Sequence, residues 1–277
     1  MSLMKKTVFS ALILLAGLSL SAQQKEPVIA QAMYHFSHMR DTANPGVFYE
    51  ENMILRLGKT AGLYESYDKA YRDSVDLAMI DSVRKAGGII RLSSAGKKPT
   101  TATVLYKFIG ANKLYSKEFH LKYYFMEDEM PVIDWNISNE TKKIMGIDCQ
   151  KATGVCKGRT YEAWFAPGIP FNNGPWKLQG LPGLIVEASD LKKQVNFKFA
   201  GFQPLTASNR SVELPTDIIP TTRAEYTRLV DAINKNPEAF LSGNGNGALI
   251  SMRGATPGAR PAGGGPVNTV NNPVELP

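Results

Sequence analysis

The sequence predicts an α+β protein that is mainly antiparallel β, built as a curved sheet or partly open barrel with two flanking helices. Three observations support this fold class. Strand-like patterns dominate residues 100–205. A helical period of apolar residues occurs once before that stretch, at residues 67–83. A helix-start pattern follows the stretch, at residues 222–225.

Residues 1–22 are predicted to be a signal peptide. Two lysines precede an uncharged apolar run at residues 7–20, and small residues after it allow cleavage behind Ala22. The run is shorter than the ~20 residues that span a bilayer. We therefore expect an exported protein, periplasmic or associated with the outer membrane, with no transmembrane segment after cleavage.

A single β-rich domain is predicted for residues 23–241. Its predicted strands are residues 28–39, 47–57, a short strand from Leu63, 101–109, 113–125 with a bend near His120, 132–137, 145–156, 159–166, 184–188 and 195–202. Lys157-Gly158 is the expected turn between two of these strands. A loop rich in proline and glycine occupies residues 167–183.

Two helices are predicted from period and caps. The first carries apolar residues four apart, and these are Tyr67, Tyr71, Val75, Met79 and Val83. We expect this face to pack against the sheet, and Gly87-Gly88 to end the helix. The second helix covers residues 223–234 and starts at a capping box formed by Thr222 and Glu225.

The charge pattern argues against nucleic-acid binding. The formal net charge is +7, but the lysine pairs at 97–98, 142–143 and 192–193 are isolated and are typical of solvated edges. The last stretch, residues 242–277, is rich in glycine, proline and asparagine. Most of it, residues 242–270, is predicted to be disordered because it has little apolar surface to bury.

The two cysteines, Cys149 and Cys156, are expected to remain unpaired thiols. An oxidising compartment would permit a disulfide. On one strand, however, seven residues separate the two positions by roughly 23 Å, whereas a disulfide needs Cα atoms within about 7 Å. The odd offset also predicts that Cys149 is buried on one face of the sheet and Cys156 lies on the other.

No catalytic residue and no cofactor can be assigned from motifs. The sequence contains no Gly-X-Ser-X-Gly elbow, no His-Glu-X-X-His and no Walker loop. His35 and His38, flanked by methionines, are the candidates for a copper-type metal site. On a strand they face opposite sides, so we expect polar edge residues and no bound metal. The acidic run at residues 127–129 is expected to be a solvated turn before Pro131.

One stretch carries a family resemblance. Between Trp135 and Asp190 the chain contains Gly174-Pro-Trp176 and then Gly180-Leu-Pro-Gly-Leu-Ile185. This stretch resembles the GLPGLI family of exported Bacteroidota proteins, and Asn272-Pro-Val-Glu-Leu276 resembles the usual ending of that family. The resemblance implies the class and the compartment. It implies no biochemical activity.

The hexapeptide itself is a candidate recognition loop or a structural clamp that closes the sheet. Pro182 fixes its own φ and favours an extended Leu181, and Gly183 permits a positive φ. Gly180 begins the motif, and Trp176 is expected to pack over it. None of these side chains can act as an acid, a base or a nucleophile, so both interpretations remain open.

These observations favour a non-enzymatic binding or accessory protein of the cell envelope, whose sheet holds an apolar ligand or an envelope protein. The ligand is not identified by the sequence. One alternative is an envelope hydrolase with a site assembled from distant strands, which a histidine beside a carboxylate in a deep pocket would favour. The other alternative is a periplasmic metal-handling protein.

Overall fold

The structure is a computed structural model, and it describes residues 25–89, 98–120, 122–206, 208–235 and 270–276. The predicted signal peptide and residues 242–269 of the predicted disordered stretch lie outside this part. The strands are β1 Lys25–Pro27, β2 Ala30–His38, β3 Tyr49–Leu57, β4 Ala61–Ser66, β5 Val104–Phe108, β6 Lys113–His120, β7 Lys122–Asp128, β8 Asn136–Ile144, β9 Ile147–Cys156, β10 Arg159–Ala166, β11 Leu184–Asp190, β12 Val195–Pro204, β13 Ser211–Glu213 and β14 Ile219–Pro220. The helices are α1 Tyr67–Lys85 and α2 Arg223–Lys235, and a 3-10 turn covers Ile109–Ala111.

Twelve strands form one curved, open sheet in the order β14-β7-β6-β5-β4-β3-β2-β12-β11-β10-β9-β8. All neighbours are antiparallel except β14, which pairs parallel to β7. The sheet has two halves, each made of antiparallel strands that follow one another in the chain, and they join where β12 pairs with β2. Strands β1 and β13 form a separate two-stranded sheet. The predicted fold class is therefore confirmed, as an open curved sheet with two helices.

The main core lies on the face that both halves of the sheet share, which we call the inner face. The register shows how one layer of it forms: Leu55 pairs with Tyr64, which in turn pairs with Leu105. These three side chains therefore point to the same side and are buried together with residues of β9 to β12. A smaller cluster, which includes Val28 and Phe125, covers the other face of the first half.

Helix α1 begins as predicted, but its packing differs from the prediction. Its N-cap, Ser66, accepts a hydrogen bond of 2.9 Å from the Lys69 amide. None of its residues is buried, and Tyr71 and Met79 are 61% and 48% exposed. The helix is anchored by polar contacts of its first two turns: Asp68 accepts a 2.9 Å hydrogen bond from the Asn52 amide of β3, and Arg72 donates to the Thr100 hydroxyl at 2.6 Å. A helical period predicts the helix, but it does not supply a surface that covers the apolar face.

Helix α2 follows the prediction closely. The Glu225 amide donates to the Thr222 hydroxyl at 3.2 Å, and the Thr222 amide donates to the Glu225 carboxylate at 3.0 Å. This reciprocal pair is the predicted capping box. Tyr226 and Ile233 are the buried residues of its apolar face.

Two predicted strands need correction. Residues 113–125 are not one bent strand, because the chain reverses after His120 and β7 pairs with β6 along its whole length. The strand predicted at residues 132–137 is mostly irregular, and Val132 is exposed. The strand lies later, as β8, and it is polar because it forms an edge of the sheet. Met145 and Gly146, with φ values of 47° and 83°, turn the chain from β8 into β9.

Both cysteines are free and buried, at 2% exposure each. The pairing of β9 with β10 is regular from Cys156 to Gln150, so the odd offset places Cys149 and Cys156 on opposite faces. This confirms the prediction of two unpaired thiols. Lys157 and Gly158, with φ values of 46° and 74°, form the predicted turn after β9.

Candidate functional site

A cavity of about 880 Å³ lies on the inner face of the sheet. Strands β2 to β7 and β12, the loop at residues 167–183 and the segment 270–276 supply much of its wall. Residues outside these elements complete it, among them Arg40, Thr103, Lys157 and Arg223. Its volume is within the range of small-molecule sites, about 300–1,000 Å³. The cavity is the best-formed candidate site in the described part of the chain.

One side of the cavity is a wall of aromatic rings. Phe36 stacks on Phe197 with ring centroids 5.1 Å apart, and Phe197 stacks on Trp176 at 6.5 Å. Phe36 and Phe197 meet because they are directly paired residues of β2 and β12. Trp176 reaches them from the loop with a φ of 51°. The three rings therefore give this side of the cavity an apolar lining.

The aromatic wall continues to a cation at its outer end. Tyr49 packs edge-on against Phe36 with centroids 6.4 Å apart. The guanidinium carbon of Arg40 lies over the Tyr49 ring, 3.4 Å from its centroid. Arg40 is half-buried and lines the same cavity as Phe36. The wall therefore runs from an indole to a guanidinium without interruption.

The opposite end of the cavity is charged. Arg223, the first residue of α2, donates to Asp128 at 2.7 and 3.1 Å and to Glu118 at 2.5 Å. Burial alone would raise the pKa of Asp128, but the hydrogen bonds and charge of Arg223 outweigh burial, and the pKa is lowered. Lys177 pairs with Glu275 at 2.6 Å. This end is a network of satisfied ion pairs.

The segment 270–276, which was counted with the predicted tail, is bound to the sheet. Arg159 donates to the side chain of Asn272 at 2.6 Å and to the carbonyl oxygens of Pro273 and Val274 at 2.5 and 2.9 Å. The same guanidinium pairs with the buried Asp190 at 2.7 Å. Four residues of the segment line the cavity. Arg159 thus fixes one part of the cavity wall.

His38 is part of this anchor and is not a free acid or base. Its Nε2 lies 2.7 Å from the Asn272 carbonyl oxygen. Burial lowers the pKa of His38 to about 4, and the charges of Arg40 and Arg159 act in the same direction. The imidazole is therefore neutral at pH 7, so Nε2 is the donor of this bond.

The predicted pair His35 and His38 does not form a site. The two residues face opposite sides of β2, as predicted, and only His38 is buried. The prediction that they are edge residues is wrong, because β2 lies between β3 and β12 in the interior of the sheet. Among the described residues there is no group of three or more His, Cys, Asp or Glu that could hold a metal.

The predicted acidic turn at residues 127–129 also needs correction. Glu127 and Asp128 belong to β7, and the side chain of Asp128, 8% exposed, pairs with Arg223. Only Glu129 follows the strand, and it is exposed and lies 3.6 Å from Lys157. A run of three acidic residues in the sequence does not indicate that the middle one points to the inner face of the sheet.

The hexapeptide motif connects the loop at residues 167–183 to β11. Leu181 is buried in the main core, and Pro182 and Gly180 are exposed. Gly183 has a φ of 150°, and an added Cβ would lie 2.3 Å from the Ala166 carbonyl oxygen. Only glycine fits this position, which carries the loop into β11. None of the four residues Gly180, Leu181, Pro182 and Gly183 lines the cavity.

The two tryptophans near the motif have different roles. Trp176 lines the cavity and contacts Phe197 and Tyr161, so it does not serve as the predicted cover of the motif. The indole over Gly180 is that of Trp135, whose Nε1 donates to the Gln179 carbonyl oxygen at 2.9 Å. Of the five residues predicted to form a recognition loop or clamp, which are Trp176 and Gly180 to Gly183, Trp176 is the one that lines the candidate site.

Sequence patterns did not point to Arg40, Arg159 or Arg223. One signal could have drawn attention to two of them. Arg159 begins an apolar strand and Arg223 follows a helix cap, and a charge in either place needs a partner. Their partners lie 31 to 115 positions away in sequence. No local pattern can identify pairs at that separation.

Comparison with known proteins finds a family match for one part of the chain. Residues 154–187, which hold β10, the loop and the hexapeptide, match a family described as a protein of unknown function (Porph_ging). No curated protein matches the sequence.

Two solved structures of PNGF-II resemble the chain. The structure in space group C2 has a TM-score of 0.52 and that in P21 a TM-score of 0.49, each with 14% identity and 73% of this chain covered. The likeness to the C2 structure shows a similar fold. The chain spans about a third of the length of the PNGF-II chains, at 32% and 33%.

Neither described helix is long and apolar enough to cross a membrane.

Proposed function

We propose that this protein is an exported, non-enzymatic binding protein of the cell envelope that holds an apolar ligand in the cavity on its inner face. The observation that carries the proposal is the aromatic wall of Phe36, Phe197 and Trp176 along a cavity of about 880 Å³. Concave sites lined by aromatic and aliphatic side chains are the usual form of small-molecule sites.

We further propose that the chain belongs to the GLPGLI family. The match at residues 154–187 includes the whole hexapeptide motif, and Asn272-Pro-Val-Glu-Leu276 resembles the usual ending of the family. Its contacts with Arg159 give that ending a structural role. Export itself rests on the predicted signal peptide, residues 1–22.

Binding is favoured over hydrolysis because the polar groups of the cavity are already engaged. A histidine and several carboxylates do line it, but His38 donates to a backbone oxygen and is not hydrogen-bonded to a carboxylate. Asp128 and Glu118 are held by Arg223. A general base works best with a pKa near the operating pH, whereas the pKa of His38 is about 4.

The test is titration with N-phenyl-1-naphthylamine, an uncharged ring compound that fluoresces in apolar surroundings. We expect saturable binding to the wild-type protein. Thr103→Trp should abolish that binding, because Thr103 lines the cavity and an indole there would occupy it. Ala102→Trp is the matched control, since the neighbouring residue does not line this cavity, and it should bind like wild type.

Melting temperatures of both variants show that they are folded. If the wild-type protein gives no saturable signal, or if the two tryptophan variants bind equally well, the cavity is not the binding site and the proposal fails.

A further inference from the structure

We infer that the ligand is an apolar anion, and that Arg40 is the residue that pairs with its negative group. The inference rests on the proposed function, because it specifies the chemistry of the ligand in that cavity. It follows from which charged side chains of the cavity wall have a partner of opposite charge and which do not.

The carboxylates of the wall all have cationic partners. Arg223 holds Glu118 and Asp128 at 2.5 and 2.7 Å. The three others are also paired, as Glu275 with Lys177 at 2.6 Å, Glu129 with Lys157 at 3.6 Å and Glu127 with Lys113. Each carboxylate of the wall therefore has an ion-pair partner, although Arg223 serves both Glu118 and Asp128, so that end of the cavity keeps one negative charge in excess.

The cations of the wall are Arg40, Lys157, Lys177 and Arg223. The last three are the partners just described. Arg40 makes no ion pair with any residue in the described ranges, and its guanidinium contacts the Tyr49 ring. The imidazole of His38 adds no charge at pH 7, because burial lowers its pKa to about 4. One cation of the cavity is thus uncompensated.

Glu51, which is hydrogen-bonded to Tyr49, is a candidate for an internal counter-ion, and it is already occupied. Its carboxylate accepts hydrogen bonds from the Thr101 amide and hydroxyl at 2.8 and 2.6 Å and from the Tyr49 hydroxyl at 2.7 Å. It does not line the cavity and forms no ion pair with Arg40. The contact of Arg40 with the Tyr49 ring orients the guanidinium but does not neutralise it.

The backbone of Arg40 is held in place by the segment 270–276. The amides of Asn271 and Asn272 both donate to its carbonyl oxygen at 3.1 Å. The cation therefore stands at a defined end of the aromatic wall, next to Tyr49 and Phe36. A ligand that lays a ring or an alkyl chain along Phe36, Phe197 and Trp176 would bring a carboxylate or sulfonate to Arg40. A guanidinium is suited to both groups because it can donate two parallel hydrogen bonds.

Two probes with one skeleton separate the charge from the apolar surface. N-phenyl-1-naphthylamine is uncharged, and 8-anilino-1-naphthalenesulfonate adds one sulfonate to the same rings. We expect the wild-type protein to bind the sulfonate about tenfold more tightly than the uncharged probe, as one charged hydrogen-bonded contact would give. Arg40→Gln should remove this preference and leave the affinity for the uncharged probe within about twofold.

Two further variants serve as controls. Arg40→Lys keeps the charge and should retain most of the preference. Lys198→Gln removes an exposed cation from the outer face of β12 and should leave both affinities unchanged. This variant has the same net charge as Arg40→Gln, so a general electrostatic effect would show in both.

The outcomes are distinct for the two proposals. If the uncharged probe does not bind, the proposed function fails. If it binds and is lost in Thr103→Trp, but the sulfonate binds no better or keeps its advantage in Arg40→Gln, then the cavity is a binding site and the inference about Arg40 is overturned.

Discussion

The guanidinium of Arg159 donates a hydrogen bond of 2.6 Å to the side-chain oxygen of Asn272, a residue 113 positions further along the chain. Arg159 also pairs with the buried Asp190 and donates to two carbonyl oxygens that follow Asn272. One buried side chain of β10 therefore attaches the segment 270–276 to the sheet. Because that segment lines the cavity, this contact links the stability of the fold to the shape of the candidate site.

Arg159→Ala should lower the free energy of unfolding by about 3–5 kcal/mol, because it leaves the carboxylate of Asp190 buried without its partner. Urea denaturation measures the loss. The matched control is Lys25→Ala, which breaks a surface pair with Glu213 whose side chains are 60% and 42% exposed. That change should cost less than about 1 kcal/mol. Similar losses in the two variants would contradict the structural role of Arg159.

Two tyrosines with different hydroxyl environments give a paired prediction. The Tyr34 hydroxyl donates to the Ile185 carbonyl oxygen at 2.8 Å, whereas the Tyr64 hydroxyl is buried with no partner among the described residues. Tyr34→Phe should therefore cost about 1–2 kcal/mol, and Tyr64→Phe should be neutral or stabilising. Thermal and urea unfolding of both variants test this. A clear loss of stability in Tyr64→Phe would mean that its hydroxyl has a partner.

Gly183 should tolerate no side chain. An added Cβ would lie 2.3 Å from the Ala166 carbonyl oxygen, and the φ of 150° is unfavourable for other residues. We expect Gly183→Ala to cost about 3 kcal/mol or more, through overpacking and backbone strain together. Gly168→Ala, in the same loop, meets nothing within 4 Å and should change stability by less than about 0.5 kcal/mol. Equal stability of both variants would rule out the clamp.

Stability should fall as the pH is lowered through the titration of His38. In the unfolded chain this group takes up a proton near its ordinary pKa of 6.5, but burial lowers its pKa in the folded protein to about 4. The unfolded state therefore binds more protons between pH 6.5 and 4, and the folded state loses up to about 3 kcal/mol across that window. Above pH 6.5 the contribution is fully present.

His38→Gln should flatten this part of the pH profile, since glutamine does not titrate and its amide can still donate to the Asn272 carbonyl oxygen. His35→Gln, on the exposed histidine of the same strand, is the matched control. The measurement is urea unfolding at half-unit steps from pH 4 to 8. Profiles of wild type and His38→Gln that run parallel would show that His38 does not titrate as described.

Much of the local structure follows from short-range patterns. The Lys157-Gly158 turn, the free and opposed thiols of Cys149 and Cys156, and the capping box at Thr222 all depend on residues close together in the chain. The conformations available to such segments depend on their own φ preferences and side-chain spacing. The sequence therefore predicts them without knowledge of the rest of the molecule.

The less successful predictions concern elements whose place depends on distant parts of the chain. Strand β8 is polar because it lies at an edge of the sheet, and α1 has an exposed apolar face because no described element covers it beyond its first two turns. Asp128 belongs to an acidic run, yet its side chain is only 8% exposed because Arg223 approaches it from α2. In each case the environment is set by a neighbour that local spacing does not identify.

The sequence by itself determined the fold class, most of the strands, both helices and the loop with its glycine and proline punctuation. It could do so because alternation, helical period and turn chemistry act over a few residues. Only the tertiary structure decided that Arg40, Phe36, Phe197 and Trp176 line one cavity and that Arg159 holds the segment 270–276 beside it. The physical reason is that the curvature of the sheet and the pairing of β12 with β2 bring these residues together.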